Sequence, residues 1–290
     1  MDEQRKAVRK MQDYISEHIT EEIDITDLAK AVSFSPWYAR KLFIKYLGMT
    51  PAVYIRRLKL SKSALCLRDE KNLILDIAME MGFGSVDGYQ RAFRREFGCN
   101  PKEYATSPVP IWLFTPSLIM EKERNVSEMS ETRNVFIQVV ERPERKVIIK
   151  RGIKATEYWS YCKEVGCDVW GLLTSIKSIT GEPVCLWLPK QLIKPGTSEY
   201  VQGVEVEPTY KGCVPEGFEV IDLPKTSYLL FRGEPFAEEN YEQAIGEIWD
   251  AEKKYNPEFI GYKWDDNNPR IQLEPIGERG YIELVPVKEV

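Results

Sequence analysis

Between Asp24 and Tyr104 the chain carries one pattern twice, and this repeat constrains the fold more than any other feature. The first copy runs through Ala29, Phe34, Phe43, Gly48, Pro51 and Tyr54. The second runs through Ala78, Phe83, Phe93, Gly98, Pro101 and Tyr104. The offset is 49 residues for the first two landmarks and 50 for the others, so one residue is inserted between Phe83 and Phe93. Each copy reads as an apolar helix with a small alanine, a tight turn and a basic helix. That is the layout of a helix-turn-helix, whose second helix enters the DNA major groove.

The residues around the landmarks fill in the units. Gln4 to His18 reads as an amphipathic helix, with Val8, Met11, Tyr14 and Ile15 on one stripe. Asp24 or Thr26 caps the next helix. Gly82 suits a left-handed turn, and Ser33 at the matching place must tolerate or avoid that conformation. The first recognition helix is expected from Ser35 to Tyr46, with Leu42 and Phe43 inward and Trp37, Tyr38, Arg40, Lys41 and Lys45 outward. The second is expected from about Val86 to Phe97, with Tyr89, Phe93 and Phe97 as its core stripe and Gln90, Arg91, Arg94 and Arg95 outward. Arg and Lys donate to guanine edges, Gln pairs with adenine, and all of them bind phosphate. Asp87 is discordant: it either accepts a bond from a cytosine amino group or caps its helix. A single helix from Ala52 to Leu67 joins the copies, with Arg56, Arg57, Lys59 and Lys62 available to phosphates.

Charge follows the same division. Residues 1–108 carry 18 basic and 15 acidic residues, a net +3; residues 109–290 carry 22 and 30, a net −8. The basic excess is too small to argue for DNA unaided. The single histidine, His18, argues against histidine-based catalysis and His-rich zinc sites. No cofactor or metal is expected. Six cysteines without a CxxC pair read as reduced, buried thiols, and no stretch reaches eighteen apolar residues or has the form of a signal peptide. A cytoplasmic location is expected.

The stretch ILDIAMEMGFGSVDGYQRAFRREFGCNPKEY closely resembles the signature of AraC/XylS-type transcription regulators, and the first copy is similar to their first unit. The resemblance covers about residues 4–107. It implies a seven-helix domain that binds double-stranded promoter DNA through Trp37, Arg40 and Lys41, then Val86, Asp87 and Arg91. The chain differs in having Asp87, Gly88 and Tyr89 where the family favours other residues.

Residues 108–133 read as a linker, broken by Pro108, Pro110 and Pro116. Its run IWLFTPSLIM is too short to span a membrane and is expected to dock on one of the domains. A second duplication follows. VVERPERKVIIKRG (139–152) matches VIDLPKTSYLLFRG (220–233), 81 residues apart. Trp170 and Trp249 fall 79 apart, and Glu205 and Glu283 fall 78 apart. We read a strand-helix-strand-strand unit, doubled, giving an α+β domain with merged sheets and a central groove. Trp170, Trp187, Tyr200, Tyr228, Trp249, Tyr262 and Trp264 are candidate walls of that groove, with Trp159 beside them. Large aromatics with a buried acid suit a bulky apolar cation.

This half, about 134–290, resembles the GyrI-like effector-binding domain, through the doubled pattern and the closing ELVPV segment. The resemblance implies a pocket acid in the last strand, which falls on Glu283. That acid stands three residues before Pro286, where the family has four; in a strand this reverses the face unless a bulge intervenes. The order of the two units resembles the Rob-type AraC regulators. Together these expectations describe a DNA-binding regulator, an activator, with a small amphipathic or cationic effector and RNA polymerase as further partners. Two alternatives for the back half stay open: a hydrolase using Glu283 with Tyr262 or Tyr228, and a protein-interaction module.

Overall fold

A computed structural model describes residues 3–70, 73–116, 134–237 and 240–290. The chain divides into two compact units, Met1–Asn125 and Val126–Val290. The first unit holds seven helices among its described residues: α1 (Glu3–Glu17), α2 (Ile25–Ala31), α3 (Pro36–Leu47), α4 (Pro51–Asp69), α5 (Ile74–Glu80), α6 (Val86–Phe97) and α7 (Pro101–Thr106).

Each landmark of the repeat has a local physical cause. Ala29 and Ala78 are buried, and their carbonyls accept the amides of Phe34 and Phe83 at 3.0 and 2.9 Å, closing the same turn twice. Gly82 takes φ 70° in that turn, and Ser33 takes φ 57° at the equivalent place, so the serine tolerates the left-handed conformation. Ser33→Gly is expected to stabilise the helical unit by about 0.5–1 kcal/mol by removing this strain. A higher thermal midpoint would show it; a lower one would mean that the serine side chain contributes more than its backbone costs. Ser35 and Ser85 cap α3 and α6, their Oγ atoms accepting from Tyr38 N at 3.3 Å and Gly88 N at 3.1 Å. Ser35 follows Phe34 directly, whereas Gly84 separates Phe83 from Ser85. Gly84 is therefore the inserted residue. Gly48 and Gly98 end α3 and α6 in the left-handed region, and Pro51 and Pro101 open α4 and α7. Tyr54 and Tyr104 are both buried.

Two cores result. Met11, Ile15, Leu28, Leu42, Phe43 and Tyr54 pack in the first; Leu60, Ile77, Met81, Tyr89, Phe93 and Tyr104 pack in the second. α4 contributes to both and, at 19 residues, spans about 28 Å. The chain does not leave this unit at residue 108. Ile111 and Leu113 are buried in the second core, Phe114 packs edge-on against Tyr54 at 5.0 Å, and its amide donates to Ser61 Oγ at 2.7 Å. The front of the run IWLFTPSLIM thus docks on the helical unit; residues 117–133 lie outside the described residues.

The second unit contains β1 (Phe136–Arg142), β2 (Arg145–Arg151), α8 (Tyr158–Val165), α9 (Val169–Ser175), β3 (Val184–Trp187), β4 (Tyr200–Val206), β5 (Glu219–Leu223), β6 (Thr226–Arg232), α10 (Tyr241–Lys254), β7 (Tyr262–Trp264), β8 (Arg270–Gln272) and β9 (Ile282–Glu289). The strands form one antiparallel sheet in the order β1-β6-β9-β8-β3-β4-β2-β5, with β7 on β9. Exchanging β1, β2, β3, β4 with β5, β6, β8, β9 leaves that order unchanged. Each half has two strands before its helices, not one. Pro143 and Pro224 separate them, since proline has no N–H for the ladder. Among the described residues β1 pairs only with β6 of the other half, and β5 only with β2.

Strand register corrects one correspondence. Val147 faces Glu205 and Tyr228 faces Pro286, an offset of 81 on both strands. Likewise Lys150 faces Gln202, and Phe231 faces Glu283. At that 81-residue offset Gln202, not Glu205, stands in the position of Glu283, and Pro286 in that of Glu205. Directly opposed residues share a face. Glu205 therefore lies on the face of Val147, Val184, Leu186 and Leu284, whereas Glu283 lies on the face of Leu229 and Phe231, where α10 packs through Ala244 and Ile248. The β6–β9 ladder runs from Ser227↔Val287 to Arg232↔Ile282 without a bulge.

All six cysteines are free. Only Cys185 is buried, and Cys167 and Cys213 are exposed, so the expectation of six buried thiols holds for one. No described helix is long and apolar enough to cross a membrane.

Candidate functional site

The outer faces of α3 and α6 form one candidate site. On α3, Trp37 is 70% exposed, and Arg40, Lys41, Ile44 and Lys45 are exposed beside it. Lys41 Nζ lies 5.2 Å from the Trp37 ring centroid, a cation–π contact that orients the indole on the surface. Tyr38 is half-buried: it packs on Phe34 at 5.1 Å, and its hydroxyl accepts from Gln4 Nε2 at 3.1 Å. Lys45 turns back toward α1 and donates to Gln4 Oε1 at 2.8 Å. On α6, Asp87, Gln90, Arg91, Arg94 and Arg95 are exposed and Val86 is half-buried. Asp87 stands in the first turn, where a carboxylate favours the helix dipole, but the cap itself is Ser85. Of the α4 cations, Arg57 pairs with Glu96 at 2.6 Å and lies over Phe114, and buried Lys59 donates to the carbonyl of Glu21 at 2.8 Å. These two hold the unit together. Arg56 stays exposed and Lys62 half-exposed.

The sheet unit holds a cavity of about 210 Å³ lined by Thr156, Trp187, Trp249, Glu252, Lys253 and Arg270. It adjoins the β3–β8 seam, where the two halves of the sheet meet and Trp187 stands opposite Arg270. The Arg270 guanidinium carbon lies 5.0 Å from the Trp187 centroid and 5.7 Å from that of Trp249. The same guanidinium pairs with Glu283 and, at 2.9 Å, with Glu252. Glu283 is fully buried. Besides Arg270 it accepts from Trp249 Nε1 at 2.8 Å and from the Tyr281 hydroxyl. Burial and the neighbouring Glu283 carboxylate push the Glu252 carboxyl up to about 9, and Arg270 opposes that shift. Glu252 is thus protonated at neutral pH.

The helix-turn-helix domain family matches residues 28–107. The regulatory protein SoxS of Salmonella typhimurium is 34% identical over 100 residues, which is 34% of this chain and 94% of SoxS. The chain belongs to the AraC/XylS family of transcription regulators. Two further relatives share part of their length with it. The right origin-binding protein of Escherichia coli is 31% identical over 106 residues, 37% of either chain. The HTH-type transcriptional regulator YbfP of Bacillus subtilis, itself uncharacterized, is 34% identical over 101 residues, 35% of this chain and 34% of YbfP.

In this AraC-type regulator two of the eight expected ligand-site residues, Trp187 and Trp249, line the cavity, and a third, Glu283, lies buried behind it, bonded to Trp249 and Arg270 of its wall. The other five lie elsewhere. Tyr200 is fully buried behind Trp187, their centroids 5.0 Å apart. Trp170 packs from α9 onto the cluster of Ala155, Tyr161, Cys185 and Tyr200. Tyr262 and Trp264 sit on β7 opposite Glu289 and Val287. Val287 is four residues along β9 from Glu283, about 13 Å. Tyr228 is buried on the other sheet face, where its hydroxyl accepts from Arg145 at 3.1 Å. Arg270, Glu252 and Tyr281 went unrecognised in the sequence. A buried strand carboxylate demands a partner, and Arg270 opens the strand beside it. Glu252 follows Trp249 by three residues and so shares its helix face.

Proposed function

We propose that the helical unit binds promoter DNA with α3 and α6 in successive major-groove segments, and that the sheet unit binds a small amphipathic or cationic effector that shifts promoter binding or polymerase contact. The carrying observation is the doubled capped helix: Arg40 and Lys41 on α3, and Gln90 and Arg91 on α6, recur at one 50-residue offset on exposed faces. Trp37, Tyr38, Lys45, Val86, Asp87 and Arg95 complete the proposed contact set. Within it, Tyr38 and Lys45 owe part of their bonding to Gln4. We read the sheet unit as an internal duplication, which its strand order and its 81-residue register support. Tyr228 is held by Arg145 on the other sheet face and Tyr262 sits farther along β9; the tyrosine beside Glu283 is Tyr281, whose hydroxyl donates to it.

Arg40→Ala and Arg91→Ala are each expected to weaken binding to a duplex selected from a random library by about 1–3 kcal/mol if they read bases. If one of them contacts phosphate instead, its loss lowers the salt slope by about one. Gel-shift titration at two salt concentrations separates these outcomes. Unchanged affinity in both variants would end the assignment.

A further inference from the structure

We infer that Arg270 is the resident cation of the cavity between Trp187 and Trp249, an internal ligand that a flat, delocalised cation from solution has to displace. This rests on the reading of the sheet unit as an effector unit and goes beyond it by naming what the effector competes with.

An aromatic, acidic site for a planar cation needs rings to stack on and a carboxylate to pair with. Both are present, and both are already engaged by one guanidinium. It lies over the Trp187 and Trp249 rings and holds Glu283 and Glu252. One oxygen is left over. Glu252 Oε1 is buried without a hydrogen-bond partner on a side chain nine-tenths buried, in the wall of the cavity. A cation with N–H donors can take over the Glu283 and Glu252 oxygens that Arg270 now holds. Lys253 adds a positive charge at the rim, but it is exposed and pairs with Asp250 at 3.5 Å. The present volume of about 210 Å³ is small for a ligand site, and removing the Arg270 side chain enlarges it. The Arg270 side chain is 31% exposed, so its head has a route to water without unfolding of the strand. A site filled by its own side chain binds an outside ligand more weakly by the fraction of time it stands open.

The experiment uses the full chain and proflavine, a flat acridinium cation, followed by its fluorescence. Arg270→Ala is expected to bind proflavine at least about tenfold more tightly than wild type. Methylguanidinium should compete with the dye in Arg270→Ala, by refilling the vacated place, and should have little effect on wild type. Arg270→Met, which keeps an apolar stem over the indoles, covers the case in which the alanine variant fails to fold. Adding Glu283→Gln to the opened variant should remove the gain. If wild type binds proflavine and neither opened variant binds it more tightly, the plug is refuted while the effector reading stands. If no form binds it, both are overturned.

Discussion

Arg145→Met is expected to destabilise the sheet unit by about 3–5 kcal/mol, and Glu205→Gln in the same chain to restore most of that loss. Arg145 and Glu205 are both fully buried and form an ion pair. The guanidinium also donates to the Pro143 carbonyl at 3.1 Å and to the Tyr228 hydroxyl at 3.1 Å. Burial works against its charge, but the Glu205 carboxylate and the Tyr228 phenol outweigh burial and keep it protonated. Removing the arginine strands a carboxylate among Val147, Val184, Leu186 and Leu284. Such a group costs far more than the intact pair contributes, because it loses water and gains nothing. Arg142 limits the damage: its Nη1 lies 3.6 Å from the second Glu205 oxygen, with the side chain 20% exposed. The measurement is the urea midpoint followed by tryptophan emission in a Trp37→Phe, Trp112→Phe background, where every remaining tryptophan belongs to the sheet unit. A loss under about 1 kcal/mol would show that Arg142 replaces Arg145, and the buried pair would not then be a principal support of this face.

The helical unit was readable because its signals are local. A cap, a left-handed turn and a helix stop are each set within four or five residues, so Gly48 and Gly98 recur as landmarks of the repeat; the cap of α6 is the exception, offered in sequence on Asp87 and made by Ser85. Even the inserted residue could be bracketed, though only the structure identifies Gly84. The sheet unit was readable in class and not in register. Aligning the closing strands on Pro208 and Pro286 equates Glu205 with Glu283; aligning them on Tyr200 and Tyr281 equates Gln202 with Glu283. Both alignments suit the residues, and a shift of one or three positions sends a side chain to the opposite face. Only pairing with β2 and β6 decides between them. Aromatic side chains misled for a related reason. Strands covered on both faces bury residues of either parity, so Tyr200 and Tyr228 look like ligand walls in sequence and serve as core. Arg270 and Glu252 stand 18 residues apart on different elements, and only the fold brings them together.

Glu252 should make the stability of the sheet unit fall as pH rises. One guanidinium, Arg270, faces two largely buried carboxyl groups, Glu252 and Glu283. Burial and Glu283 raise the Glu252 carboxyl to about 9, against an ordinary value of 4.5. The sign follows from proton counting. Below pH 4.5 both the folded and unfolded chains hold the proton, and the group adds nothing to the pH dependence. Between 4.5 and about 9 the unfolded chain has released it and the folded chain has not, so each rise of one pH unit costs the folded state about 1.4 kcal/mol. From pH 5 to pH 8 the expected loss is about 4 kcal/mol. Other shifted groups fall outside this window. Glu164, Glu219 and Asp265 have lowered values and act at acid pH, while Cys162 and Cys185, at about 12, and Tyr158, Tyr161 and Tyr281 act at alkaline pH. Glu252→Gln replaces the neutral acid with a neutral amide of the same shape, so it should match wild type near pH 5 and stay level up to pH 8. Urea midpoints in the tryptophan background described above give both curves. If the wild-type curve is as level as that of Glu252→Gln, then Glu252 is ionised and Arg270 alone balances both carboxylates.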